Sequence, residues 1–157
     1  MKLTMKEIRQ NAILFSKRWA GMVREKQHDQ GFINAFLRVF GIEDAWTVGT
    51  FQEKAAIGTF WIDYLWKDKI AIEIKSKGEN LDKAFEQLRD YIDKIAADDV
   101  PDLLMVSDFE NIWLSRQSIN KVWKIETKKL SYNIGKFIEL AGGIGIWGAA
   151  FEFSPYP

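Results

Sequence analysis

Apolar residues recur at helical spacing through roughly the first forty positions. Ile8, Ala12, Phe15, Trp19 and Met22 follow one another every three or four residues. Ahead of them, Thr4-Met5-Lys6-Glu7 has the Thr and the Glu of a capping box. A second helical run, around Phe32, Ala35, Phe36, Val39 and Phe40, meets Gly41, a residue type that closes helices. The pattern predicts two helices around a short loop near His28–Gly31.

The period then shortens. Phe60–Leu65 and Lys69–Ser76 are rich in β-branched and aromatic residues and are separated by Trp66-Lys67-Asp68, which predicts a hairpin. In its second arm Ile70, Ile72 and Ile74 share one face, and Ala71, Glu73 and Lys75 share the other. Gly78–Asn80 reads as a turn and Leu81–Ala96 as a helix, with Ala84, Leu88, Tyr91, Ile92 and Ile95 near one face. Pro101 precedes Leu103–Ser107, a continuous apolar run of the kind found in buried strands. Asn111–Leu114 and Lys121–Ile125 read as further strands, and Leu130–Leu140 as a helix ending at Gly142-Gly143. The order ααββαβββα predicts an α/β fold, a mixed central sheet flanked by helices with an N-terminal helical pair. Residues 1–143 are expected to form the domain. Residues 144–157 form a tail, apolar through Trp147, Phe151, Phe153 and Tyr156, that packs back on the domain or leads into further chain.

Composition narrows the chemistry. The 157 residues suit one compact domain. Lys+Arg and Asp+Glu balance at 22 each, which argues against a simple electrostatic clamp on nucleic acid. It leaves room for a nuclease, whose acidic metal site offsets a local basic patch. The absence of cysteine removes disulfides, thiolate zinc sites and cysteine nucleophiles, and suits a cytoplasmic setting. The single histidine, His28, removes sites built on several imidazoles. The first residues lack the apolar core of a signal peptide, and no apolar run approaches a membrane span, so no membrane partner is expected. Carboxylates, lysines, hydroxyls and amides remain, an inventory that favours a hard, oxygen-ligated cation such as Mg2+.

The hairpin concentrates those groups. If its arms pair around the short turn, Asp63 comes near Glu73, with Lys75 two residues further on the same face. Converging carboxylates repel, and burying them costs several kcal/mol unless a cation compensates. A divalent ion held by Asp63, Glu73 and the Ile74 carbonyl would do so, with Lys75 orienting or helping to deprotonate an attacking water and the metal stabilising charge on a phosphate. A surface hairpin with an alternating polar face would show the same residues, and E-x-K alone is a weak signal. Gln87 and Tyr91, four apart, share a face of the helix that follows. Together they can bind a phosphate or a water near the metal; equally, Tyr91 can be core and Gln87 solvated.

Asp63, Glu73-Ile74-Lys75 and Gln87-Leu88-Arg89-Asp90-Tyr91 resemble the PD-(D/E)XK nuclease superfamily with the Q-x-x-x-Y feature of its RecB-like branch. A closer resemblance is to the N-terminal nuclease region of MmeI-like restriction–modification enzymes, in which one polypeptide joins a nuclease to an adenine methyltransferase and a target-recognition region. The similar stretches are Phe15–Trp19, Phe40-Gly41-Ile42, Ile72–Gly78, Leu81–Ala84 and Asp108-Phe109, within a likeness running from Ile8 to about Gly143. The resemblance implies a restriction-endonuclease-like fold and a DNA endonuclease that uses Mg2+, with Mn2+ as a substitute. Asp63, Glu73 and Ile74 would hold the metal, and Lys75 would be catalytic beside Gln87 and Tyr91. Glu25, at the family's distance after Trp19, would be a further metal-binding acid, where the plain reading is a solvated charge beside Arg24 and Lys26. Ile62 stands where the superfamily name has proline.

The chain has no Gly-rich cofactor turn and no N-P-P-Y-type motif. The resemblance implies that S-adenosylmethionine would belong to a methyltransferase region elsewhere in a longer polypeptide, linked covalently together with the target-recognition region. DNA is the expected partner, with dimerisation on DNA one route to double-strand cutting. Three rivals stand beside this reading: a RecB- or Cas4-like repair or defence nuclease, a non-catalytic DNA-binding or interaction domain that keeps the fold, and a stand-alone ligand-binding α/β domain. The lack of cysteine counts against the iron–sulfur members of the first. Lys67, Lys69, Lys77, Lys83 and Arg89 cluster in sequence around the acids and could meet DNA phosphates or form a solvated rim. Trp19, Trp113 and Trp123 fit the core pattern, whereas Trp61 and Trp66 flank Asp63 and can pack or line a groove.

Overall fold

The structure is a computed structural model, and it describes residues 2–54 and 61–142. Helix α1 (Met5–Trp19) starts at the expected capping box: the Thr4 side chain accepts from the Glu7 N–H and the Glu7 carboxylate accepts from the Thr4 N–H. Helix α2 (Glu25–Val39) is longer than the apolar pattern predicts and absorbs the expected loop at His28–Gly31. The reason lies at Gly31. A Cβ there would meet the Trp19 ring at 3.1 Å, so the glycine is a close crossing point of two helices and not a turn. Gly41, with φ +94°, closes α2 as expected.

Six strands form one sheet in sequence order: β1 (Thr50–Lys54), β2 (Trp61–Trp66), β3 (Ile70–Ile74), β4 (Leu103–Ser107), β5 (Asn111–Arg116) and β6 (Lys121–Glu126). All neighbours are antiparallel except β3 and β4, which run parallel because helix α3 (Leu81–Ile92) crosses between them. Asn80 caps α3 by accepting from the Asp82 and Lys83 N–H groups. Strand β1 is missing from the sequence expectation, since Thr-Phe-Gln-Glu-Lys is a half-exposed edge with little apolar signal.

The sheet is covered on both faces, and every position of β3 and β4 is buried. Ile70, Ile72 and Ile74 pack with Phe15, Phe32 and Phe36 of the helical pair. Ala71, Leu104 and Val106 pack with Ala84, Leu88 and Tyr91 of α3. The expected last helix is instead two 3-10 stretches, Thr127–Tyr132 and Ile134–Ala141. Its buried residues Ile134, Phe137 and Leu140 sit three apart, the 3-10 repeat, and Gly142 ends it at φ +76°. The mixed sheet with flanking helices and an N-terminal helical pair is the architecture the sequence predicts. No helix among the described residues is long and apolar enough to cross a membrane. The expected tail at 144–157 lies outside the described residues.

Candidate active site

Strands β2 and β3 pair from Trp66↔Ile70 to Tyr64↔Ile72, and there the ladder ends. Beyond it the two acids replace backbone carbonyls as acceptors. The Asp63 N–H donates to Glu73 Oε1 at 3.1 Å, and the Ile74 N–H donates to Asp63 Oδ2 at 2.7 Å. The carboxylates therefore sit inside a fork between the strands. Each is held by a backbone donor that an ordinary antiparallel rung would have used.

The fork is pinned from both sides. On β2, the Tyr64 hydroxyl donates to the Ala45 carbonyl at 2.7 Å. Just past β3, the Lys75 N–H donates to the Ser107 carbonyl of β4 at 2.8 Å. Lys75 Nζ lies 3.6 Å from Glu73 Oε2 and donates to Gln87 Oε1 of α3 at 3.1 Å. Gln87 Nε2 donates in turn to the Trp61 carbonyl at 3.3 Å. The structure thus brings Asp63, Glu73, Lys75 and Gln87 together from three elements.

Electrostatics mark Glu73. Its side chain is 4% exposed. Burial pushes its carboxyl up to about 9, helped by the charge and hydrogen bond of Asp63 and opposed by Lys75. One lysine at 3.6 Å does not offset the desolvation of Glu73.

Tyr91 does not join the group. It is 1% exposed within the core beneath α3, and burial first, then the charges of Glu53 and Asp99, push its phenol up to about 12. Glu25 opens α2, but its side chain lies outside the described residues. Lys67 and Lys69 stand at the closed end of the hairpin, away from the fork, and Lys67 pairs with Asp99 at 3.6 Å. Lys77 pairs with Glu110 at 3.8 Å, while Lys83 and Arg89 are exposed on α3. Trp61 is exposed with Lys54 Nζ 5.6 Å from its ring centre, and Trp66 packs on the main core.

Two residues at the site escaped sequence reasoning. Gln52 of β1 donates through Nε2 to Asp63 Oδ1 at 3.2 Å. Its signal was hidden because β1 itself was not legible. Asp29 of α2 lies one turn beyond Glu25, and its carboxyl is pushed up by burial and by the charge of Asp63. Starting α2 at Glu25 would have put Asp29 on a helix rather than in a loop.

Among the described residues, no three His, Asp or Glu side chains are grouped to hold a metal by themselves. Asp63 and Glu73 with a backbone oxygen remain a suitable set for Mg2+, which commonly takes one or two carboxylates and completes its shell with water and phosphate. The buried, under-compensated Glu73 is the observation that fits such an ion.

The family model described as the MmeI N-terminal domain matches residues 10–150. The chain belongs to this family. No curated protein matches it. Among solved structures, the cryoEM structure of a DrdV–DNA complex is similar over 94% of this chain, with 18% identity and a TM-score of 0.54, which shows the shared fold. This MmeI N-terminal domain chain spans 14% of the length of that DrdV chain.

Proposed function

We propose that this MmeI N-terminal domain is the DNA-cutting module of a restriction–modification protein, a metal-dependent endonuclease that hydrolyses phosphodiester bonds. The observation that carries the reading is the fork: two carboxylates converge, one buried and under-compensated, with an amide-held lysine beside them. The family supplies the DNA context, and the solved neighbour was determined as a complex with DNA.

Asp63, Glu73 and the Ile74 carbonyl would hold Mg2+ or Mn2+. When bound, the ion supplies charge to stabilise the phosphorane-like transition state and to acidify a water. The protein's own groups do the rest. Lys75 Nζ would present its donors to the attacking water and a non-bridging phosphate oxygen, and Gln87 fixes its direction by accepting a hydrogen bond from it. The Asp63 and Ile74 N–H groups keep the carboxylates aimed into the fork. Tyr91 supports α3 from the core, so that Gln87 keeps its height above β3. Target recognition and methylation, with S-adenosylmethionine, are assigned to other regions of a longer polypeptide.

The test is calorimetric titration of Mg2+ and Mn2+ into the wild-type chain and into Asp63→Ala and Glu73→Ala, with plasmid nicking by wild type and Lys75→Ala. Binding lost in both acid variants and nicking lost in the lysine variant is the expected result. A wild-type chain that binds neither ion would defeat the proposal.

A further inference from the structure

Gln52 carries two anomalies at one position. Its φ is +53°, a left-handed value unusual for a residue with a side chain. It also interrupts a ladder. Strand β1 pairs with β2 at Thr50↔Leu65, Phe51↔Tyr64, Glu53↔Ile62 and Lys54↔Trp61, so the position opposite Gln52 is Asp63. That rung alone is missing from an otherwise regular run. The missing rung and the left-handed residue coincide with a side-chain amide that reaches Asp63 Oδ1.

A left-handed non-glycine residue persists only when its surroundings hold it, and such residues gather at functional sites. At this one, the conformation has a visible consequence. Asp63 now has a donor on each oxygen: Gln52 on Oδ1 and the Ile74 N–H on Oδ2. Without Gln52, the carboxylate would be fixed at a single oxygen and free to turn about its terminal torsion, which is soft. With it, the plane of Asp63 is set by protein groups alone.

We propose that Gln52 is a positioning residue for Asp63: its left-handed backbone steps out of the β1–β2 ladder so that its amide sets the carboxylate facing Glu73 before any cation arrives. The consequence for metal affinity rests on the cation-dependent reading above; the effect on Asp63 does not. Partners that orient metal-binding carboxylates typically change metal affinity by tenfold or more when lost.

Gln52→Gly is the decisive variant, because glycine accepts the left-handed conformation while the side chain that carries the amide is lost. In chelator, amide hydrogen exchange at Ile74, whose N–H donates to Asp63, is expected to quicken about tenfold in this variant relative to wild type. An unchanged Ile74 amide would overturn the proposal whether or not the chain binds metal. In calorimetry, Mg2+ affinity is expected to fall about tenfold. Equal or tighter binding would show that the amide is idle or competes with the ion, and would overturn it as well. Gln52→Ala keeps the backbone strain, so it should melt below the glycine variant while losing the same affinity. If wild type binds no metal, the nuclease reading fails, and the Ile74 exchange still decides the role of Gln52.

Discussion

Asp63 and Glu73 replace a backbone rung: the Asp63 N–H donates to Glu73 Oε1 at 3.1 Å, and the Asp63 carboxylate takes the Ile74 N–H at 2.7 Å. Side chains here act as the ladder acceptors. This has a structural cost and a functional use. The cost is a buried Glu73 beside the half-buried Asp63 where a sheet would ordinarily close. The use, on the proposed function, is that neither acid would need to be recruited by a cation.

The first prediction concerns that cost. The Glu73 carboxyl is raised from its ordinary 4.5 to about 9, so the neutral form is favoured in the fold. A group raised in this way contributes stability that is complete below 4.5 and is lost as pH climbs toward 9. The metal-free protein should therefore melt at falling temperature across this window. Glu73→Gln should flatten the slope and melt higher at pH 8. Relief of about 2 kcal/mol corresponds to roughly 4–8 °C for a chain of this size. Mg2+ should reverse the slope, since binding displaces the proton. Thermal melts of both proteins in chelator and in Mg2+ check this, and a Glu73→Gln variant that melts lower than wild type in chelator at pH 8 would sink it.

Lys75 and Gln87 should separate chemistry from binding. On the proposed function, Lys75→Ala removes the donor assigned to the phosphate and should lower the nicking rate by at least about a hundredfold. Gln87→Ala leaves the lysine in place but undirected, because its Nζ loses the 3.1 Å contact with Gln87 Oε1. Its rate should fall about tenfold, with Mg2+ affinity unchanged. Single-turnover nicking beside metal titration distinguishes the two. Equal rates for Gln87→Ala and wild type would remove Gln87 from the mechanism.

Tyr91 tests whether a residue paired with Gln87 by sequence shares its work. Its side chain is buried among Ala71, Leu104 and Leu88. Tyr91→Phe keeps the packing and should nick within about twofold of wild type, whereas Tyr91→Ala should cost about 3–5 kcal/mol of stability. A large rate loss in Tyr91→Phe would place the hydroxyl in the chemistry.

What the sequence revealed follows from how local each signal is. The capping box at Thr4 and Glu7, the stop at Gly41 and the alternation through Ile70, Ile72 and Ile74 are set by neighbours in the chain, and all are found where expected. The hairpin brings Asp63 to Glu73 because its turn is short, so that approach was also legible. Gln52 was not, because its place opposite Asp63 exists only once an edge strand of weak pattern pairs with β2. The reading of Gly31 as part of a loop failed for a related reason. Its role is to admit the Trp19 ring from another helix, which no local pattern records. Tyr91 shows the converse, since a four-residue spacing gives a shared face but not the depth to which each side chain is buried.

Asp29 supplies the last prediction. It stands on α2, and its carboxyl is raised by burial first and also by the charge of Asp63. A third negative charge near the acid pair strengthens attraction for a divalent ion without needing to touch it, at a surface-like worth of about 1 kcal/mol. Asp29→Asn should therefore weaken Mg2+ binding about threefold to tenfold and leave the single-turnover rate at saturating Mg2+ unchanged. The loss should shrink as salt rises, because a through-space charge is screened whereas a ligand bond is not. Titrations at low and high ionic strength decide between the two. A loss of a hundredfold or more that persists in high salt would mean that Asp29 contacts the ion itself.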